Sequence, residues 1–268
     1  MTVVLEKPYS TPAPAEWNIR WERLPADFAL PDDPVDNLQQ PLLASALSDA
    51  LSNSTYFQEE MIVATNFGLC ATVNGKTVIK APDWVLVPKV ANYKAETHIR
   101  RRSYTPHLEG DVPSLVMEFL SESEGGEYSI KPHYPYGKWR FYEQILQIPY
   151  YVIFDPETSL LEVYQLSDKG YQAGEPNAEG RFWIATLNLF IGVWHGTWQG
   201  VSGHWLRFWD RDGDMLLWAN EKAREAQSKA HKAEIEAQQE RERNKHMQGQ
   251  LERLNQRLKD LGLEPEQL

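Results

Sequence analysis

The apolar residues recur with different periods along the chain, and the changes of period mark its parts. Over residues 38–51 the positions Leu38, Leu42, Leu43, Ala46, Leu47, Ala50 and Leu51 follow a 3.6-residue repeat, which predicts an amphipathic helix closed by Ser52-Asn53-Ser54. Strand-like runs follow at 61–64, 69–73 and 77–79, with Asn74-Gly75 the strongest hairpin turn in the chain. Residues 83–87 and 114–120 are near-continuous apolar runs, each opened by a proline, and residues 150–154 form a third, stopped by Asp155-Pro156. Such runs predict central strands covered on both faces. The pattern is helical over 138–148, while 160–165 and 181–209 read as antiparallel strands with glycine turns. Helix and strand in alternation indicate an α/β or α+β sheet sandwich.

At Ala219 the composition changes to Ala, Glu, Gln, Lys and Arg. An unbroken 4,3,4,3 spacing then runs through Ala219, Ala223, Ala226, Ala230, Ala233, Ala237, Glu240, Asn244, Met247, Leu251, Leu254, Leu258 and Leu261, with Gly262 and Pro265 as the stop. That heptad register predicts a long helix that pairs as a coiled coil through its leucine half, with Asn244 at a core position setting register. The expected association is a homodimer through residues 219–262. Residues 1–37, rich in Pro and Asp, read as an extended arm, which leaves 38–218 as the body and 219–268 as the helical extension.

Charge and cysteine content narrow the function classes. The net charge is −11, and residues 219–268 hold ten basic and ten acidic residues, so the whole excess lies in the first 218. A broad nucleic-acid surface is therefore excluded; contact with DNA needs a local patch. The densest candidate is His98-Ile99-Arg100-Arg101-Arg102. A single cysteine, Cys70, excludes an intrachain disulfide, and no apolar run reaches membrane-spanning length. With no signal-peptide pattern at the start, a cytoplasmic protein without membrane partners is expected.

Candidate chemistry centres on acidic residues in apolar strands. Glu118 stands among Leu115, Val116, Met117, Phe119 and Leu120, where a carboxylate is costly without a cation, a partner or a path to water. Asp83 opens the preceding apolar strand and Lys138 starts the next helix. Two acids and a cation are what metal-dependent phosphodiester hydrolysis requires. Elsewhere, Asp210, Asp212, Asp214 and Glu221 have calcium-loop offsets, but Met215 stands where glycine is needed, so a turn is expected. His195, His204 and Cys70 lack metal-ligand spacing, and Trp183, Trp194, Trp198, Trp205 and Trp209 are read mainly as core.

Pro82-Asp83 before an apolar strand, Glu118-Phe119-Leu120-Ser121, Lys138-Trp139-Arg140-Phe141-Tyr142 and Ile148-Pro149-Tyr150-Tyr151-Val152-Ile153-Phe154-Asp155-Pro156, in that order and spacing, resemble the Uma family of restriction endonucleases. The likeness extends through Trp194-His195-Gly196-Thr197-Trp198, Trp205-Leu206-Arg207 and the heptad-bearing tail. That family sits in the PD-(D/E)xK nuclease superfamily. The resemblance implies a restriction-endonuclease-like mixed sheet with flanking helices and a metal-dependent DNA endonuclease activity. It further implies that Asp83 and Glu118 hold Mg²⁺ (or Mn²⁺), that the carbonyl of Phe119 is a further ligand, and that Lys138 is the displaced catalytic lysine. Lys131 is a second candidate, and Arg100, Arg101, Arg102 and Lys131 would face DNA. The chain departs from the pattern at Ser114, where the family often has Asp, and at Leu120, where the superfamily has its lysine. A catalytically inactive relative acting as a coiled-coil interaction module is the alternative. A carbohydrate-binding sheet built on the tryptophans is a third reading.

Overall fold

The computed structural model describes residues 38–91, 102–121, 126–134 and 136–261. All of these lie in the compact unit Asp36–Leu268. The N-terminal arm, Arg100 and Arg101 with the preceding His98 and Ile99, and the Gly262/Pro265 stop lie outside the described residues.

A six-stranded mixed sheet forms the centre. Its order is β1 (Ile62–Ala64), β4 (Trp84–Val87), β6 (Leu115–Phe119), β7 (Tyr150–Asp155), β8 (Leu160–Ser167), β9 (Gly170–Ala173). Only β6 and β7 run parallel; the crossover between them carries α2 (Lys138–Arg140) and the π-helical segment Phe141–Leu146 that continues it. The three near-continuous apolar runs became the central strands β4, β6 and β7, because both their faces are covered.

Alternate residues of these strands enter two separate cores. Trp84, Leu86, Leu115, Met117, Phe119, Tyr150, Val152 and Phe154 pack against helix α1 (Gln39–Ser52) and a second, three-stranded sheet of β10 (Phe182–Ile184), β11 (Leu189–Trp198) and β12 (Val201–Trp209). Val85, Val87, Val116, Tyr151 and Ile153 face the other way, toward Phe141, Tyr142 and Leu146. That side also meets the small sheet of β3 (Lys76–Lys80), β2 (Gly68–Val73) and β5 (Ser103–Tyr104). Leu38, assigned to the helix stripe, precedes α1 and is 92% exposed. The β2–β3 hairpin turns on Asn74 (φ 51°) and Gly75 (φ 75°), both left-handed as a type I′ turn requires.

The extension is a single helix, α3 (Ala219–Asp260), whose 42 residues span about 63 Å. It is tied down only at its start: Ala219 N–H donates to Asp49 and the Trp218 indole to the carbonyl of Ala46. None of its residues is buried. Among the described residues no helix is long and apolar enough to cross a membrane.

Candidate active site

Glu118 is fully buried, and its side chain shares a face of β6 with Val116. Its two oxygens are met by one helical turn. Lys138 Nζ donates to Oε2 at 3.0 Å and Tyr142 OH to Oε1 at 3.0 Å. Lysine and tyrosine four residues apart fall on the same side of a helix, so the segment presents both groups together. Gly137 makes the approach possible. A Cβ there would lie 1.9 Å from the carbonyl oxygen of Ser129, so only glycine lets the start of α2 run against the preceding loop.

Asp83 stands where β4 has run out. The ladder pairs Trp84 with Met117, and one more step would set Asp83 opposite Glu118. In place of a strand partner, Asp83 Oδ2 accepts the N–H of Phe119 at 2.6 Å. The carbonyl of the same Phe119 accepts the Gln40 side-chain amide at 2.8 Å, from the first turn of α1. Both main-chain groups at this strand end are thus held by side chains. Gln40 and Asp83 also border a cleft of about 300 Å³ with Pro41, Ala44, Ser45, Thr65 and Asn66.

Burial pushes the Glu118 carboxyl up to about 8, with the negative charge of Asp83 adding to the rise and Lys138 and Tyr142 opposing it. For Lys138, burial alone would lower the ammonium, but Glu118 beside it leaves it raised. The two shifts agree in sense: the pair holds protons more tightly than either group would in water. The wall of Trp139, Tyr142, Tyr151 and Tyr171, packed edge to face, keeps water out.

Three further residues belong to this group and escaped the reading of the sequence. Glu127 is 1% exposed, its Oε1 lies 3.8 Å from Lys138 Nζ, and its Oε2 has no hydrogen-bond partner. Lys80 on β3 feels the charges of Lys138, Lys131 and Glu118. Gln40 carried a visible signal, since it falls on the apolar stripe of α1 three and seven residues before Leu43 and Leu47. Lys80 carried one too, two residues from the buried Val78. Nothing local marked Glu127.

The remaining sequence candidates fall differently. Arg102 is exposed just before β5, and Lys131 is exposed on the loop before α2. Ser114 is buried at the opposite end of β6, four residues or about 13 Å from Glu118, with an unpartnered hydroxyl. The departure there lies away from the acidic pair. Asp210 Oδ1 accepts the N–H groups of Asp212 and Asp214, which is a turn and not a calcium loop.

The oxygen set of Asp83, Glu118 and the Phe119 carbonyl suits a hard cation. Among the described residues no three acidic, histidine or cysteine side chains converge as a metal cage. Mg²⁺ does not need one, because it binds through one or two carboxylates and keeps its waters. Glu118 would supply its charge on giving up the proton that burial holds to about 8, and the Glu127 oxygen has no hydrogen-bond partner, so the residues fit the ion.

No curated protein matches the chain. The model of the Uma2 family, described as "Putative restriction endonuclease", matches residues 29–195, a span that holds Gln40, Asp83, Glu118, Glu127, Lys138 and Tyr142. Its placement in the PD-(D/E)xK superfamily is consistent with the mixed α/β fold. The chain belongs to the Uma2 family of restriction-endonuclease-like proteins.

Proposed function

We propose that the chain is a Mg²⁺-dependent DNA endonuclease, with Mn²⁺ able to substitute, whose reacting centre is Asp83, Glu118 and Lys138. The observation that carries this reading is the fully buried Glu118 carboxyl, near the end of an otherwise apolar strand and bonded to a lysine and a tyrosine. Packing gains nothing from a charge at that position. Asp83 and Glu118, with the Phe119 carbonyl, would hold the metal. When bound, Mg²⁺ polarises the scissile phosphate and lowers the pKa of water.

The protein's own groups set the geometry. Asp83 holds the N–H of Phe119 and Gln40 its carbonyl, which fixes the direction of that carbonyl. Tyr142 holds one Glu118 oxygen and thereby the rotamer. Lys138, bound to the other oxygen, would orient the attacking water and face the phosphate charge. The aromatic wall excludes competing water on the Tyr151 side.

Cleavage of plasmid and oligonucleotide DNA tests the proposal. Wild-type protein should cut with Mg²⁺ or Mn²⁺ and not with EDTA, and Glu118→Gln should cut about 10²–10³-fold more slowly. Cutting that survives unchanged in Glu118→Gln, or none in the wild type, defeats it. Leu120, standing where the superfamily has its lysine, favours the rival reading of an inactive relative, and the second outcome would select it.

The homodimer is proposed on the seam of α3. Met247, Leu251 and Leu254 are 49%, 54% and 56% exposed, an apolar stripe that a second copy in register would cover. Light scattering on the full chain should give a dimer, and Leu251→Lys with Leu254→Lys a monomer; a monomeric wild type at tens of micromolar rules it out.

A further inference from the structure

A chain with an excess of eleven negative charges nevertheless gathers lysines at one place. On β3, Lys76 and Lys80 flank the buried Val78 on one face of the strand, four residues and about 13 Å apart. Lys131 lies on the loop between β6 and α2, whose later part brings Tyr134 under Lys76: the Lys76 ammonium is 5.0 Å from the centre of the Tyr134 ring. Lys80, at the other end of β3, has Lys138, Lys131 and Glu118 as charged neighbours. Burial first, and then those two lysines, pull Lys80 below the ordinary lysine value.

Among the described residues Lys76, Lys80 and Lys131 meet no carboxylate within ion-pair distance, whereas Lys138 has two. Lys80 and Lys131 repel each other, and Glu118 opposes that repulsion only in part. An anion relieves it. The same edge carries apolar surface: Tyr134 is 50% and Ile130 68% exposed, beside the lysines and not in either core.

We infer that Lys76, Lys80 and Lys131, with Tyr134, form a track that binds a single-stranded stretch of DNA and leads it to Glu118 and Lys138. The inference rests on the nuclease reading of that centre and adds the substrate class. Lysines spaced along a strand face suit phosphates of one strand that are not adjacent, and the half-exposed tyrosine ring suits an unpaired base, since base–aromatic stacking needs bases that are out of the duplex. A free phosphate would use the lysines but not the ring. A long duplex would bring the acidic remainder of the body against its phosphates.

The test is fluorescence anisotropy on the full chain in EDTA, so that no cleavage occurs. The probe is a fluorescein-labelled 20-nucleotide single strand, compared with its duplex and with inorganic phosphate as competitor. Wild-type protein should bind the single strand more tightly than the duplex, and millimolar phosphate should compete weakly. Tyr134→Ala should weaken single-strand binding about fivefold or more without changing the salt dependence. Lys76→Ala, an exposed change whose fold is checked by circular dichroism, should reduce the slope of log affinity against log salt by about 0.7. Wild-type affinity in both variants, equal binding of duplex, or full displacement by phosphate overturns the track while leaving the nuclease reading in place. No binding of any DNA by the wild type overturns both.

Discussion

Two ion pairs in this protein are equally dry and chemically opposite. In the pair Arg207–Glu221 the cation is fully buried and the acid 23% exposed; in Lys138–Glu118 the acid is 1% exposed and the cation 23%. Arg207 donates to both oxygens of Glu221, at 3.3 and 2.7 Å, and to the carbonyl of Leu216, and its plane lies 3.5 Å above the Trp218 ring. Glu221 in turn accepts the N–H of Trp218, closing the first turn of α3. An arginine cannot give up its proton, so once dry it depends permanently on its partners. A dry glutamate can take up a proton, and Glu118 is pushed to about 8. The first pair is a structural joint. The second is a titratable group held at the ordinary pH of a cell, with a further buried acid beside it that has an oxygen to spare.

Breaking each pair should therefore give opposite results. Arg207→Ala leaves Glu221 without its cation and Trp218 without its stacking partner, and should cost about 3–5 kcal/mol of stability by urea unfolding. A loss under 1 kcal/mol would mean the joint is ornamental. Glu118→Gln keeps shape and hydrogen-bonding capacity, and should leave stability at neutral pH unchanged or higher while removing the proposed activity.

The sign of the pH dependence sharpens the contrast. Glu118 has a folded value near 8 against 4.5 for the free group, so between those limits the folded protein retains a proton that the unfolded chain has lost. Its contribution to stability is full below about 4.5 and is lost as pH rises through 8, by up to about 1.4 kcal/mol per pH unit. Lys138 stays protonated throughout that window, since its own value is raised. Metal-free wild type should thus lose stability from pH 5 to 8 relative to Glu118→Gln. Parallel curves for the two proteins would show that Glu118 is already ionised without a metal. The smallest effect is expected at Ser114, where the buried hydroxyl has no partner: Ser114→Ala should be neutral or stabilising by about 1 kcal/mol.

What was legible in the sequence follows from how local each signal is. The central strands could be read because β4, β6 and β7 are apolar on both faces, and the long helix because its repeat spans thirteen positions. Glu118 was visible as a charge in an apolar run, and Asp83 and Lys138 by order and spacing. The helix over 138–148 was placed correctly in outline, but the π-helical turn that sets Tyr142 on Glu118 has no signature in side-chain pattern alone. Glu127 stayed invisible because its burial is imposed by tertiary contacts: the Tyr151 hydroxyl holds its carbonyl, and Lys138 approaches from a helix eleven residues on. The coiled coil is different in kind. The helix is there, and its seam is open.

The most direct measurement is calorimetric titration of Mn²⁺ into the full-length protein at pH 7, in buffers of different ionisation enthalpy. One ion should bind per chain, with release of a proton, because Glu118 must ionise to act as a ligand. Binding should disappear in Asp83→Asn and in Glu118→Gln. Absence of Mn²⁺ binding by the wild type, or binding that survives in Glu118→Gln, would contradict a metal centre at the end of β6.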